Sequence, residues 1–509
     1  MSEPLKLTGE DLTLEDVWEV AVGCRATALA PVARERMAAA RALIDGLQGE
    51  HTYGVNTGFG RFVSQHVPDE LAGELQLRLL RSHACGVGEP YPDEVVRAAM
   101  LLRANALAKG YSGAHITTVE LLLACLDAGL IPYVPARGSV GASGDLAPLA
   151  HLALPLVGEG EAWVEGQRLP GAEALAAVGL APVRLASKEG LSLINGTQFM
   201  AAMASLGIVR ARRLARTADI ACAQSLEALR GSQTSFMAPI HAARPLVGQG
   251  ASAANVRLLL EGSAIIESHR WCDKVQDAYS LRCAAQVHGA SRDLLDYVER
   301  TVAVEVNAAT DNPLVLVDEG IVVSNGNFHG QPVAFALDAL VMAVAELASI
   351  SERRVERLVN PSLSDGLPPF LTVEGGLNSG FMILQYVAAA LVSENKSLAH
   401  PASVDSIPTS AGQEDHVSMG NAAGLKALQV LANVEHVLAI ELLAGAQAVE
   451  FLAPLEPGRG VTAARAFVRT LSARLEDDRS LSADIERVAS SVRDGSVVSA
   501  VEARVGALA

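Results

Sequence analysis

Ala142-Ser143-Gly144 is where this chain could make a reactive group out of its own backbone. With Gly141 just before them, three minimal side chains leave the main chain free to bend sharply. In a tight enough turn the amide nitrogen of Gly144 reaches the carbonyl carbon of Ala142. Loss of water there, and of the Ser143 hydroxyl, closes a five-membered ring with an exocyclic methylene, an electrophile that no ordinary side chain supplies. An unreactive loop is the commoner fate of a cluster of Gly, Ser, Ala and Asp. A serine hydrolase is another reading, because Ser143, Asp145 and His151 stand close together. However, Gly141-Ala142-Ser143-Gly144-Asp145 lacks the final glycine of the G-x-S-x-G nucleophile elbow, and triad residues meet through the fold rather than along the chain.

Such a turn has to be held by a scaffold, and the surrounding pattern is helical. Residues 338–358 place Leu340, Val344, Leu347 and Val355 at helical spacings. The longer stretch 421–453 is rich in Ala and Leu, strong helix formers. Helices of more than about 20 residues predict a bundle. Residues 314–317 and 321–323, separated by Asp318-Glu319-Gly320, predict a small hairpin, and residues 162–167 another. Asp145 is placed to cap a helix beginning near Leu146, with a catalytic role as the equal alternative. No low-complexity linker, charge block or repeat divides the chain, which reads as one continuous, mainly α unit over 1–509.

The bulk numbers narrow the partners. Hydrophobic residues make up 50% and charged residues 19%, with mean hydropathy +0.27, which suggests much surface buried between subunits. A net charge of -17 and a pI near 5.2 argue against nucleic acid and anionic membranes, which need basic patches. The apolar stretches 334–350 and 428–453 are interrupted by Asp338 and Glu346, and by Glu435, His436, Glu441 and Glu450, so no uncharged run of about 18 residues forms. Met1-Ser2-Glu3-Pro4 does not read as a signal peptide. Cys24, Cys85, Cys125, Cys222, Cys272 and Cys283 form no C-x-x-C pair, which suits reduced thiols and a cytoplasmic protein better than disulfides or zinc. Without an H-E-x-x-H, a P-loop or a G-x-G-x-x-G, neither a metal nor a dissociable cofactor is expected.

Six segments stand out from the helical background: Tyr53-Gly54-Val55-Asn56-Thr57-Gly58-Phe59-Gly60, residues 138–151, Leu193-Ile194-Asn195-Gly196-Thr197-Gln198, residues 275–283, Ser324-Asn325-Gly326-Asn327-Phe328-His329-Gly330, and Gln413-Glu414-Asp415-His416. Together, in one order, they resemble the aromatic amino acid ammonia-lyases, from about Leu12 to near the end of the chain. The resemblance implies a large, elongated helical bundle of fumarase/aspartase-like architecture with a few short hairpins. Residues about 1–190 would bear the prosthetic group, and about 191–509 would form the long-helix part. It further implies a homotetramer whose active sites each draw on three subunits. Ala142, Ser143 and Gly144 would cyclise unaided to 4-methylidene-imidazol-5-one.

An electrophile suits deamination, because the β-hydrogen of an amino acid is not acidic and free ammonia leaves poorly. Tyr53 resembles the family's catalytic tyrosine, the base for the β-proton, and its pKa of about 10 has to fall for that role. Helix N-termini aimed at the site would lower it. Arg282 resembles the clamp for the substrate carboxylate, its planar fork matching two oxygens. Tyr279 and Gln276 match residues that line the site, Tyr279 among the catalytic set. Asn195 matches the residue that hydrogen-bonds the ring carbonyl, and Phe328 one that packs beside the ring.

Two positions favour histidine as substrate. Arg81-Ser82-His83-Ala84-Cys85-Gly86 carries a Ser-His pair, and His83 can hydrogen-bond an imidazole. Glu414 is a carboxylate where the phenylalanine enzymes have an amide, and it would reject a phenyl ring that left it unpaired. The expectation is conversion of L-histidine to trans-urocanate and ammonia, the entry to histidine breakdown. Action on phenylalanine or tyrosine, a 2,3-aminomutase, a serine hydrolase and a non-catalytic helical assembly are the alternatives. Ala278, Cys85 and Arg61-Phe62-Val63-Ser64 depart from the family pattern.

Overall fold

The structure is a computed structural model that describes residues 3–47, 52–271 and 274–509. Of the six cysteines, Cys272 lies outside the described residues; the other five are free thiols. The chain forms two compact units. The first comprises Met1–Val209, Glu299–Asp338 and Pro401–Leu425; the second comprises Arg210–Val298, Ala339–His400 and Lys426–Ala509.

Helices dominate, as the apolar periodicity predicts. The stretch 338–358 belongs to the helix Gln331–Val359, and 421–453 to the helix Gly420–Glu450. Both are long and apolar enough to cross a membrane by composition alone, but their most apolar windows are 72% and 78% buried within the fold. Both predicted hairpins are present. Glu161–Val164 pairs antiparallel with Gln167–Pro170, turning at Glu165 and Gly166 with φ of +48° and +77°, the positive pair that a two-residue hairpin loop needs. Leu314–Leu316 pairs with Ile321–Val323, Val315 facing Val322.

Within the first unit, three helices set the geometry that matters. Ala72–His83, Leu146–Ala153 and Glu189–Ile194 pack on one another. His83 ends the first, the Ala142-Ser143-Gly144 segment leads into the second, and Asn195 caps the end of the third. The same unit contains the helix Asp93–Ala108, buried at every residue from Val95 to Ala108. That helix holds Arg103 and Asn105 among aliphatic neighbours.

In the second unit, two clusters of buried charge are paired. Arg354 and Glu441 form an ion pair with both side chains at 0% exposure. Asp219 accepts from His288 at 2.7 Å and from Arg292 at 2.6 Å. These pairings satisfy groups that would be costly to bury alone.

Candidate active site

The residues leading into helix Leu146–Ala153 are bent and pinned from two sides. Gly141 and Gly144 have φ of +67° and +73°, a region open to glycine without steric cost. From one side, the Ser418 hydroxyl donates to Gly141 O at 3.1 Å and Met419 N donates to Val140 O at 2.9 Å. Ala142 packs with Val417 and Met419. From the other side, Gly144 pairs with Gly196, and Asp145 N donates to Gly196 O at 2.7 Å. A Cβ on Gly144 would lie 2.0 Å from that carbonyl oxygen, so only glycine fits.

Asp145 stands at the N-cap of its helix but does not cap it with its side chain, contrary to expectation. Its carboxylate instead accepts from Met200 N at 2.9 Å, in the first turn of the helix Gln198–Ala228, and from Ser139 Oγ at 2.9 Å. The backbone bond to Gly196 turns Asp145 toward that neighbouring helix start, whose free N–H groups seek acceptors. Full burial pushes the Asp145 carboxyl up to about 6, against the pull of these donors. The hydrolase triad does not assemble: Ser143 bonds Glu414, Asp145 bonds Ser139 and Met200, and His151 Nε2 accepts from Gly86 N.

Ser143, Tyr53, His83, Asn195 and Glu414 line one cavity of about 870 Å³ in the first unit. Ser143 Oγ donates to Glu414 Oε1 at 3.1 Å, and Thr409 Oγ1 donates to Glu414 Oε2 at 2.5 Å. Ser410 and Ala411, also on the cavity wall, hold φ of +52° and +53°. Such values are strained for residues with a Cβ and concentrate at working sites.

His83 Nδ1 lies 2.9 Å from Leu79 O. A carbonyl only accepts, so Nδ1 carries the proton, and in the neutral ring Nε2 is the acceptor. Burial lowers the His83 pKa and keeps the ring neutral, while the Leu79 carbonyl and the Glu414 charge pull it up. Asn195 Nδ2 donates to Asn312 O at 2.8 Å, and its buried Oδ1 has no partner. The hydrogen bond expected from Asn195 to a ring carbonyl would come from the same amide NH₂, which has a second hydrogen.

Tyr53 meets Phe59 edge-on, with ring centroids 6.2 Å apart. Its loop is tied in by Gln76, which donates from Nε2 to Gly54 O at 3.2 Å and accepts from Leu191 N at 3.0 Å. Burial pushes the Tyr53 phenol up, the Gly60 backbone pulls it down, and Glu414 and Asp311 raise it further. The shift runs opposite to the one a tyrosine base needs. Desolvation first, and nearby negative charge after it, set that direction.

Gln276, Tyr279 and Arg282 lie in the second unit and form a cluster of their own. The Arg282 guanidinium stacks 4.5 Å from the Tyr279 ring centroid and donates to Gln276 Oε1 at 3.0 Å and Asp277 O at 2.9 Å. Tyr279 is 70% exposed. Phe328 is half-buried on the loop after Ile321–Val323, and neither it nor this cluster lines the cavity around Ser143.

The sequence reading missed Thr409, Asn312 and Arg103. Arg103 offered the one visible signal, an arginine flanked by Leu101, Leu102, Ala104 and Ala106, and such a residue is rarely buried without a partner to hold.

The aromatic amino acid lyase family model matches residues 12–470. A histidine ammonia-lyase from Gloeobacter violaceus is 55% identical over 510 residues, covering 100% of this chain and 99% of its own length. A solved histidine ammonia-lyase from Trypanosoma cruzi shares 44% identity, with a TM-score of 0.91 over 98% of this chain and 95% of that one. A tyrosine aminomutase from Streptomyces globisporus gives a TM-score of 0.95 at 37% identity, over 100% of both chains.

Proposed function

The chain belongs to the aromatic amino acid lyase family, and we propose that it removes ammonia from L-histidine to give trans-urocanate. It is a carbon–nitrogen lyase acting on an amino acid. One observation carries the choice of substrate: His83 and Glu414, two hydrogen-bonding groups suited to an imidazole, line the same cavity as Ser143.

The bend at 142–144 fits a ring precursor. Gly144 is seated where no side chain is tolerated, and the Asn195 amide keeps a second hydrogen for a carbonyl acceptor. The residues forming the group are Ala142, Ser143 and Gly144, with Asn195 as its hydrogen-bonding neighbour. Once formed, the group supplies an electrophilic methylene that turns the substrate amine into a better leaving group.

The protein's own side chains do the rest. The Glu414 carboxylate accepts the N–H of the substrate imidazole, and His83 hydrogen-bonds the same ring and fixes its orientation. Tyr53 holds its proton at rest and takes the β-proton only after cationic groups offset Glu414 and Asp311. Arg282 holds the substrate carboxylate, with Gln276 and Tyr279 orienting it, and Phe328 packs beside the reacting group. The exposure of Tyr279, and of Val275 at 94%, supports a homotetramer in which these residues complete the site of a neighbouring copy. Free thiols at the five described cysteines suit a reducing cytoplasm.

Offering histidine, phenylalanine and tyrosine separately, while the ultraviolet spectrum is followed, tests the reading. Urocanate should form fastest, and faster cinnamate would overturn the assignment. The tyrosine aminomutase likeness supports a second reading, which predicts a β-amino acid among the products.

A further inference from the structure

We propose that Arg103 is a positioning residue for ring formation, acting through Asn195 and Gly196 to hold Gly144 in its reactive bend. The proposal rests on the reading of 142–144 as a ring precursor.

Arg103 is fully buried. Its Nη1 donates to Asn195 O at 2.6 Å and to Gln198 Oε1 at 3.1 Å, while Gln198 Nε2 donates to Thr310 Oγ1 at 2.8 Å. A Cβ added to Gly196 would lie 2.6 Å from Arg103 Nη1 and 2.5 Å from Thr310 O, so the guanidinium packs directly against the Gly196 backbone. Gly196 in turn carries Gly144 and Asp145, by the Gly144 pairing and the 2.7 Å bond from Asp145 N. The Arg103 guanidinium therefore packs on the Gly196 backbone, and Gly196 on the Gly144 backbone, with no room for a side chain between them.

Stability alone does not explain the arginine. No described carboxylate hydrogen-bonds it, the Asp311 charge acting on it only through space, and Nε and Nη2 have no partner. Burying such a cation is expensive, and an apolar side chain of similar volume is often at least as stable. Cyclisation, by contrast, depends on placing one nitrogen against one carbon, and a 1 Å error in such a geometry costs about 10²-fold in rate.

The step needs no oxidant. The Gly144 nitrogen bonds to the Ala142 carbonyl carbon, whose oxygen leaves as water with the amide hydrogens of Gly144 and Ser143. The Ser143 hydroxyl leaves as a second water with the Cα hydrogen of the same residue.

The test is intact mass of the full-length protein, followed with time after synthesis, for wild type, Arg103→Met, Arg103→Gln and Arg103→Lys. Wild type should become two waters lighter than its encoded mass. Arg103→Met, with helix content and melting midpoint like wild type, should keep the encoded mass or lose water about 10²-fold more slowly. Arg103→Lys, which keeps a donor for Asn195 O, should recover part of the rate. Complete loss of two waters at the wild-type rate in a folded Arg103→Met protein overturns the proposal. If the methionine variant does not fold, the same reading on Arg103→Gln decides it. An encoded mass for wild type would instead remove the ring reading itself, a separate failure.

Discussion

Ser143 Oγ donates a hydrogen bond to Glu414 Oε1 at 3.1 Å, joining residues 271 positions apart in the chain. The serine hydroxyl thus occupies one carboxylate oxygen while Thr409 holds the other. If the hydroxyl leaves as water during ring formation, Oε1 becomes free for substrate, so one chemical event creates the electrophile and opens its neighbour.

Glu414→Gln should lower histidine turnover by roughly 10- to 100-fold, the worth of a hydrogen bond to a charged group. Steady-state kinetics measure this directly. Unchanged histidine kinetics would remove Glu414 from imidazole binding.

Tyr53 makes the pH dependence predictable. Burial and the Glu414 and Asp311 charges favour its neutral phenol, so a reaction needing the phenolate should speed up as pH rises on the alkaline side. Removing the Glu414 charge relieves part of that bias. The alkaline limb of kcat/KM should therefore move to lower pH in Glu414→Gln, even as the rate falls. A limb at the same pH in both proteins would mean that another group titrates. Tyr53→Phe should cost about 10²- to 10⁴-fold in kcat, the usual share of a general base.

Ser143→Ala should retain its full encoded mass and lose deamination, because alanine has no hydroxyl to eliminate. Mass spectrometry and a urocanate assay on the same sample check both halves. Activity without the loss of water would separate the reaction from the ring.

Lys188 and Asp311 form a fully buried pair at 2.9 Å. Lys188→Met leaves the Asp311 charge without its partner and should destabilise the fold by roughly 3–5 kcal/mol. The midpoint of urea unfolding reports it, and an unchanged midpoint would mean that Asp311 is protonated or rehydrated in the variant.

The long helices were legible in sequence because aliphatic spacing over many turns leaves a strong period, and the hairpins because Asp318-Glu319-Gly320 and Glu165-Gly166 punctuate short apolar runs. The cavity residues Tyr53, His83, Ser143, Asn195 and Glu414 were legible as motif positions, since each sits at or near the end of a helix or on a loop. What binds them together was not. Arg103 reaches Asn195 across 92 positions, and Asp145 reaches Met200 across 55. No local pattern encodes such pairings. The Tyr53 shift was hidden for the same reason, because its direction is set first by burial and then by charges at 414 and 311, all of which only the fold supplies.

The wall behind Gly144 is built from Gly196, and the carboxylate of Asp145 is seated on the first turn of Gln198–Ala228. Both supports come later in the chain than the tripeptide they hold, and the Ser418 and Met419 bonds later still. If the ring forms as proposed, a nascent chain would carry only an inert Ala-Ser-Gly, with nothing to offer the free amines of the cell. The polypeptide would then arm itself last, and the electrophile would certify that these later supports are in place.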